Sequence, residues 1–372
     1  MASSPPPSFD PTHIDLTTAN QADIICYFTI NSNEYNGLLP LRISSIFVIG
    51  LVSTLVTYFP VIARRKPSWK IPLGLYTFAR FFGSGVIVAT AFIHLLDPAY
   101  EAIGPGSCVA ASGGWAAYPW CAAIVLVSIM AVFCVDLGAE VYVEQRFGVV
   151  RQEDGGATGA FLRQSGEEDG AVVSDTEASG YPHDRTRGKD AASLENASID
   201  ITSTEARLSF AQQIGAFLVL EFGIIFHSVI IGLNLGVVAS STFTTLYPVL
   251  VFHQSFEGLG IGARLSNIPF PSSKSWMPWA LCALYGLTTP VAIAIGLAVR
   301  TTYAPESKVS MMVQGVLNAV SAGFLIYSGL VELLAKDFLF DKERTRNLGR
   351  LGLMVGYVFV GAAVMAVIGY WA

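Results

Sequence analysis

Eight apolar runs, each long enough to cross a lipid bilayer, constrain the fold of this chain more than any other feature. About 20 helical residues span the hydrocarbon core, and the backbone of such a run must pair its own polar groups, which a helix does. Only 13% of the 372 residues are charged, about half the share in a typical soluble domain. The runs predict an all-α integral membrane protein with eight transmembrane helices. They cover residues 41–63, 73–96, 119–143, 210–236, 245–265, 277–299, 311–334 and 351–371.

Composition divides the chain into four segments. Residues 1–38 are mostly polar, with prolines near the start, and predict a largely disordered extracellular tail. Residues 39–143 hold the first three spans. Residues 144–207 are rich in Gly, Ser, Asp, Glu, Arg and Thr, with almost no aromatic residues, so they predict a disordered cytosolic loop. Residues 208–372 hold the remaining five spans.

The positions of the basic residues predict the orientation in the membrane. Lys and Arg gather after the first span, after the fifth span and between the last two spans. With an even number of spans, all three groups fall on the cytosolic side when both termini are extracellular, as the positive-inside rule requires. The groups are Arg64, Arg65, Lys66 and Lys70; Arg264 and Lys274; and Lys336, Lys342, Arg344, Arg346 and Arg350.

A short motif occurs twice, once in the fourth span and once in the fifth. The first copy starts at His227 and reads His-Ser-Val-Ile-Ile-Gly-Leu. The second starts at His253 and reads His-Gln-Ser-Phe-Glu-Gly-Leu. The polar residues 240–242 between them leave room for a turn, so the two helices should run antiparallel with their histidines at similar depth. Two such copies indicate an inverted repeat, and transporters place substrate sites at the interface of such repeats.

Polar residues around the two histidines form a candidate metal site. Glu257 lies one helical turn after His253 and shares its face, and Asn234 shares the face of His227. Imidazole, carboxylate and neutral oxygen donors suit Zn²⁺, Fe²⁺ or Mn²⁺. The alternative is a pair of histidines hydrogen-bonded across a helix interface, but ionisable groups at bilayer depth are costly and usually functional. The predicted ligands are His227, Ser228, Asn234, His253, Gln254 and Glu257.

Five glycines accompany these polar residues in the same two spans. A residue without a side chain lets neighbouring helices approach closely and leaves room for an ion. We therefore expect tight helix packing around the site. The glycines are Gly232, Gly236, Gly258, Gly260 and Gly262.

The two motifs resemble the signatures of the fourth and fifth helices of the ZIP (Zrt/Irt-like) family of divalent metal transporters. The likeness extends to residues 91–96 (Ala-Phe-Ile-His-Leu-Leu), 285–290 (Tyr-Gly-Leu-Thr-Thr-Pro) and 321–327 (Ser-Ala-Gly-Phe-Leu-Ile-Tyr). It is closest to the fungal plasma-membrane zinc-uptake permeases, which share residues 33–37 (Asn-Glu-Tyr-Asn-Gly). The resemblance implies a plasma-membrane protein that carries zinc as its substrate and holds no prosthetic group.

The outer end of the second predicted span is acidic. His94 and Asp97 are three residues apart there, and an acidic mouth would concentrate divalent cations before they enter. The resemblance gives His94 a further role on the pathway, because it matches a histidine of the family's second helix. We therefore add His94 and Asp97 to the predicted metal-binding residues.

Cys26 and Cys108 also lie outside the cell on this topology, and that oxidising setting favours a disulfide between them.

These observations favour transport of zinc from outside into the cytosol through a His/Glu site between the fourth and fifth helices. An Fe(II) or Mn(II) importer of the same fold is the nearest alternative. A membrane-embedded metallohydrolase is less favoured, because no His-Glu-x-x-His motif occurs and the acid beside the histidines already serves as a ligand. A metal-sensing receptor is a further alternative. The expected partners are the metal ion and the lipid bilayer. The net charge of −6 argues against nucleic acid as a partner. The sequence leaves open whether the chain forms a homodimer.

Overall fold

The computed structural model describes residues 35–110, 113–147, 190–303, 305, 307–340 and 345–371. Within these residues it contains helices and no β-strand, and eight of the helices are long. The predicted all-α fold is therefore confirmed. The long helices are α1 (Leu39–Arg65), α2 (Leu73–Ile103), α3 (Trp120–Phe147), α4 (Asp190–Val237), α5 (Ser240–Leu265), α6 (Met277–Ala298), α7 (Lys308–Phe340) and α8 (Leu348–Gly369).

Seven of these helices are long and apolar enough to cross a membrane, with Phe210–Val237 as the apolar part of α4. The exception is α5. Its 26 residues exceed the length that a span requires, but it carries polar residues in its second half, including His253, Gln254 and Glu257. These three side chains are buried inside the protein, so the polar residues of α5 are shielded from the lipid.

The described residues form two compact units. The first contains the described residues up to Asp136 and from Gln213 onward, and the second contains the end of α3 and the start of α4, within Leu137–Gln212. Residues 148–189 of the predicted loop lie outside the described residues. Both edges of that loop are helical, because α3 continues to Phe147 and α4 begins at Asp190. All contacts discussed below are in the first unit.

Helix packing in the first unit brings α5 against both α1 and α2. α1 also packs against α6, while α2 packs along α8. One apolar cluster joins α1, α4, α5 and α6 through Ile49, Leu235, Phe243, Leu250 and Ile293. A second cluster joins α2 to α8 through Phe82, Val86, Ala89 and Met365, with Phe256 and Leu259 of α5 packed on it. α5 therefore lies between the two packing groups.

The predicted close approach of helices at glycines is present. A Cβ on Gly260 of α5 would lie 2.7 Å from the Cα of Gly83 of α2. On α4, a Cβ on Gly232 would lie 2.8 Å from the backbone oxygen of Thr289 in α6. Since real Cβ atoms do not come so near, only glycine fits at these crossings. α5 can thus approach α2, and α4 can approach α6, to backbone contact.

Two of the helices contain π-helical segments. α2 changes to π-helix at Thr90–Leu96 and continues as α-helix through Asp97–Ile103. α7 is π-helical over Ser328–Phe340. π-Helical turns are rare and occur frequently at functional sites. In α2 the segment holds Thr90 and His94, which both contact residues of α5.

A buried arginine joins the start of α1 to the end of α4. Arg42 has no exposed surface, and its guanidinium donates hydrogen bonds to the backbone oxygens of Leu235 (3.1 Å), Gly236 (3.2 Å) and Val238 (2.5 Å). These oxygens belong to the carbonyls that a helix C-terminus leaves unpaired. The charge is also favoured by the negative end of the α4 dipole. Arg42 therefore fixes the position of the α4–α5 turn.

Candidate metal centre

Three side chains from α4 and α5 converge in the buried interior. The Nε2 atoms of His227 and His253 are 3.4 Å apart, and Nε2 of His253 is 3.4 Å from Oε1 of Glu257. One ligating atom from each residue lies within 4.8 Å of the other two. The side chains of all three are buried. The repeated motif therefore does bring its two histidines together, from helices that run in opposite directions.

The spacing of these atoms is that of ligands around a tetrahedral ion. Zinc binds nitrogen and oxygen ligands at about 2.0–2.2 Å. Two such ligands on a tetrahedral centre are therefore about 3.3–3.5 Å apart. Both measured separations, His227 to His253 and His253 to Glu257, fall in this range. A direct hydrogen bond between the two imidazoles would be shorter, at about 2.7–3.2 Å, so the cluster fits a shared cation better than an imidazole pair.

A threonine from α2 holds the carboxylate of the cluster. The hydroxyl of Thr90 donates a hydrogen bond of 2.9 Å to Oε1 of Glu257. The other carboxylate oxygen, Oε2, has no hydrogen-bond partner in the described part of the chain. Thr90 is fully buried. A residue of a third helix thus orients the carboxylate of Glu257, while Oε2 stays available to accept a hydrogen bond or to bind a cation.

Gln254 supplies a neutral oxygen beside the histidines. Its Nε2 donates to the hydroxyl of Thr289 on α6 at 2.7 Å and lies 3.4 Å from the hydroxyl of Ser228. Its Oε1 is buried without a hydrogen-bond partner among the residues described. The phenol of Tyr285 donates to the backbone oxygen of Gln254 at 2.8 Å. An unpaired buried carbonyl costs free energy, and a cation at the cluster would offset that cost.

His94 lies next to the cluster rather than at an outer mouth. Its ring packs edge-on against His253, with ring centroids 4.7 Å apart, and lies 6.4 Å from the ring of His227. Its Nε2 is buried and unpaired among the described residues. The difference from the sequence expectation arises because α2 continues to Ile103, two turns past the predicted end of the span. His94 is thus a third imidazole at the level of the other two.

Two other predicted residues lie apart from the three-residue cluster. The amide of Asn234 donates to Gln314 at 2.7 Å and accepts from the phenol of Tyr303 at 3.2 Å, so both of its ends are engaged in a separate network. Asp97 is exposed where the α-helical part of α2 resumes. The cysteine Cys26 lies outside the described residues. Cys108 is disulfide-bonded, and among the described cysteines Cys121, Cys134 and Cys282 are free of a disulfide.

Comparison with known families decides what kind of protein carries this cluster. The sequence model of the family described as "ZIP Zinc transporter" matches residues 39–369, which covers all eight helices. The chain belongs to the ZIP zinc transporter family. Membership makes it a multi-pass membrane transporter rather than an enzyme, and it confirms the resemblance seen in the motifs of α4 and α5.

Named relatives resemble this ZIP chain over nearly its whole length. Zinc-regulated transporter 1 of Saccharomyces cerevisiae is 49% identical, over 98% of this chain and 97% of the relative. Zinc-regulated transporter 1 of Schizosaccharomyces pombe is 41% identical, over 92% and 88%. Zinc-regulated transporter 2 of Saccharomyces cerevisiae is 34% identical, over 92% and 96%. No solved structure matches this chain significantly.

Sequence reasoning did not find two buried polar residues of this ZIP chain. Thr90 was missed because a threonine in an apolar helix usually bonds to its own backbone, and nothing local indicates a partner on α5. Glu221 of α4 is 1% exposed, and both of its carboxylate oxygens lack hydrogen-bond partners in the described residues. The signal for Glu221 was available, since a carboxylate within an apolar span is a candidate functional group by itself.

A network of charges joins α2, α5 and α7 at the end of the ZIP bundle where basic residues gather. Arg80 donates two hydrogen bonds to Asp337, at 3.2 and 2.7 Å. Arg264 of α5 approaches the same carboxylate to 3.8 Å and donates to the backbone oxygen of Glu332 at 2.8 Å. Lys336 pairs with the side chain of Glu332. These contacts join α2, α5 and α7 at that end of the bundle.

Proposed function

We propose that this protein carries Zn²⁺ across the plasma membrane into the cytosol through the cluster of His227, His253 and Glu257. The observation that supports the proposal most directly is the burial of two imidazoles and one carboxylate at ligand spacing in a membrane-spanning bundle. Two nitrogens and one carboxylate bind zinc without the thiolates of structural zinc sites, and transport requires binding that still permits release. The relatives named as zinc-regulated transporters agree with this substrate.

The rest of the predicted ligand set completes the proposal. Gln254 and Ser228 are placed to offer neutral oxygens next to His253, and His94 offers a third imidazole as the ion arrives. We assign Asn234 to the network with Gln314 and Tyr303, and Asp97 to the solvated surface before the site. Zinc is the substrate in this scheme and no prosthetic group takes part.

The direction of transport follows from the proposed orientation. With both termini extracellular, the basic residues at the ends of α1, α5 and α7 face the cytosol. The ion then leaves past the network of Arg80, Arg264 and Asp337, which joins α2, α5 and α7 at that end of the bundle. Tags at the two termini that react with impermeant reagents in intact cells would test the orientation. Labelling only after permeabilisation would contradict it.

The test of the proposal is uptake of radiolabelled zinc in yeast cells that lack their own zinc importers. The wild-type chain should restore uptake, and His253→Ala or Glu257→Ala should abolish it at equal surface expression. Glu101→Ala is the matched control, because Glu101 is exposed at the end of α2. Full uptake by the His253→Ala variant would refute the assignment of the site.

Import of Fe(II) or Mn(II) is the second candidate, because nitrogen and carboxylate ligands accept these ions as well. The same cells should be given radiolabelled iron and manganese at equal concentration. Zinc uptake that persists in a tenfold excess of either ion supports the proposal.

The homodimer stays a prediction. Light scattering of the detergent-solubilised protein would check it by measuring the mass of the particle.

A further inference from the structure

A cavity of about 410 Å³ opens at the end of the bundle where basic residues gather. It lies between the first turns of α2 and α8 and the ends of α1, α5 and α7, well apart from the metal centre. Its volume falls within the range of small-ligand sites. The described residues that line it are Arg64, Leu73, Gly74, Tyr76, Thr77, Arg80, Phe81, Asn267, Asp337, Thr345, Arg350, Leu353, Met354 and Tyr357.

The charges of the cavity favour an anion. Three arginines line it, and Asp337 is the single acid among its described lining residues. Asp337 is already neutralised by the two hydrogen bonds from Arg80. Arg64 and Arg350 are exposed, and neither guanidinium makes a hydrogen bond or ion pair within the described part of the chain. Two unpaired guanidinium groups therefore share one cavity with hydroxyl and amide donors.

Arginine side chains bind phosphate oxygens strongly, because the planar guanidinium offers paired donors. The hydroxyls of Tyr76 and Thr345 are further donors on the same wall, whereas the Thr77 hydroxyl donates to the backbone oxygen of Leu73. The first turn of α2 adds backbone N–H groups, since its N-cap residue Pro72 provides no side-chain cap. This set of donors is suited to bind an anionic phosphate group.

The surroundings of the cavity favour a lipid as the source of that phosphate. Leu73 is 77% exposed and Leu353 is 54% exposed, and both line the cavity. Exposed leucines at the start of two membrane helices are placed to contact acyl chains. Basic pockets between transmembrane helices on the cytosolic side are sites where lipid headgroups bind. An anionic phospholipid can put its phosphate between Arg64 and Arg350 while its chains stay in the bilayer.

We propose that this cavity binds the phosphate of an anionic phospholipid headgroup through Arg64 and Arg350. The bound phosphate would lie beside the Arg80–Asp337 pair, which also contacts Arg264 of α5 at 3.8 Å. Lipid occupancy is therefore linked to the charge network that joins α2, α5 and α7 at this end of the bundle. The site is separate from the metal ligands, so its failure would leave the zinc site untouched.

The test measures the melting temperature of the purified full-length chain in detergent with added short-chain lipid. Dioctanoyl phosphatidic acid should raise the melting temperature of the wild-type protein by about 2–4 °C at saturation. Dioctanoyl phosphatidylcholine should not, because its positively charged choline group makes the headgroup neutral overall. Arg350→Gln and Arg64→Gln should each remove most of the shift. Arg346→Gln is the matched control, because Arg346 is exposed just before α8 begins, four residues from Arg350, and is not among the lining residues.

Inorganic phosphate at the same concentration separates the two sources of the anion. No shift with phosphate supports a lipid, and an equal shift shows that the cavity takes free phosphate, which overturns the lipid assignment. A shift with phosphatidylcholine, or equal loss in Arg346→Gln, would mean non-specific attraction to a basic surface and would overturn the site. Native mass spectrometry of each variant gives a second measurement that does not depend on stability. The wild-type protein should retain one bound lipid, and Arg350→Gln should lose it.

Discussion

The hydroxyl of Thr90 donates a 2.9 Å hydrogen bond to Oε1 of Glu257, although the two residues are 167 positions apart in the chain. The same oxygen lies 3.4 Å from Nε2 of His253. α2 therefore fixes the position of the carboxylate that α5 supplies to the candidate metal centre. If the proposed site binds zinc, Thr90 is a positioning residue that acts on the ion through Glu257.

Replacing Thr90 with valine should weaken zinc binding, because the isosteric side chain cannot donate to Glu257. A hydrogen bond to a charged group contributes about 1.5–3 kcal/mol, so a loss of roughly tenfold or more in zinc affinity is expected. Equilibrium zinc binding to the purified protein measures it. Thr90→Ser keeps the hydroxyl and should restore most of the affinity. Equal zinc affinity in the valine and wild-type proteins would show that the hydrogen bond does not position the carboxylate.

The sequence was sufficient to predict the helices and the histidine pair. Apolar runs of about 20 residues require helices in a bilayer, and the repeated motif placed His227 and His253 at equal depth on adjacent antiparallel helices. Helical periodicity alone predicted that Glu257 lies on the same helix face as His253. These features depend on local periodicity and on one short turn, both of which can be seen in the sequence.

Features that depend on distant packing were not predictable. The end of the second span was placed at Leu96, where the apolar run ends, whereas α2 continues to Ile103. His94 was therefore expected near the outer surface instead of against His253. The π-helical segment that contains Thr90 and His94 has no sequence signature that periodicity would show.

Asn234 shows a different limit of helical periodicity. Seven residues restore the same helix face, but they also advance about 10 Å along the axis. A residue on the same face as His227 is therefore too far along the helix to bind the same ion. In the structure the Asn234 amide bonds with Gln314 and Tyr303.

Replacing Asn234 with alanine should leave the intrinsic zinc affinity of the centre within about threefold of the wild-type value, because its amide belongs to another network. His253→Ala, measured beside it, should lose detectable binding. Zinc titration of both purified variants provides the measurement. A loss in Asn234→Ala as large as that in His253→Ala would restore Asn234 as a ligand.

Gly260 is expected to tolerate no side chain. A Cβ there would lie 2.7 Å from the Cα of Gly83, and backbone cannot move aside as a flexible side chain can. Gly260→Ala should therefore destabilise the protein by about 1–3 kcal/mol, seen as a lower melting temperature and less monodisperse protein. Gly356→Ala on α8 is the matched control, since its Cβ would meet nothing within 4 Å. Equal stability of the two variants would contradict the close α2–α5 crossing.

Asp337 should contribute to stability through two arginines rather than one. It is 8% exposed, accepts two hydrogen bonds from Arg80 and lies 3.8 Å from Arg264. Asp337→Asn leaves the positive charges of Arg80 and Arg264 facing each other without the carboxylate that they share. Because Arg80 is 36% exposed, water screens part of this repulsion, and a cost of about 1–3 kcal/mol is expected.

A double-mutant cycle separates the ion pair from simple loss of packing. Arg80→Gln removes one of the two unpaired charges, so Arg80→Gln combined with Asp337→Asn should be more stable than the sum of the single changes predicts. The melting temperatures of the four proteins give the coupling. Strict additivity would mean that Arg80 and Asp337 do not interact, and α2 and α7 would then be joined at this end by apolar contacts such as that of Phe81 with Phe338.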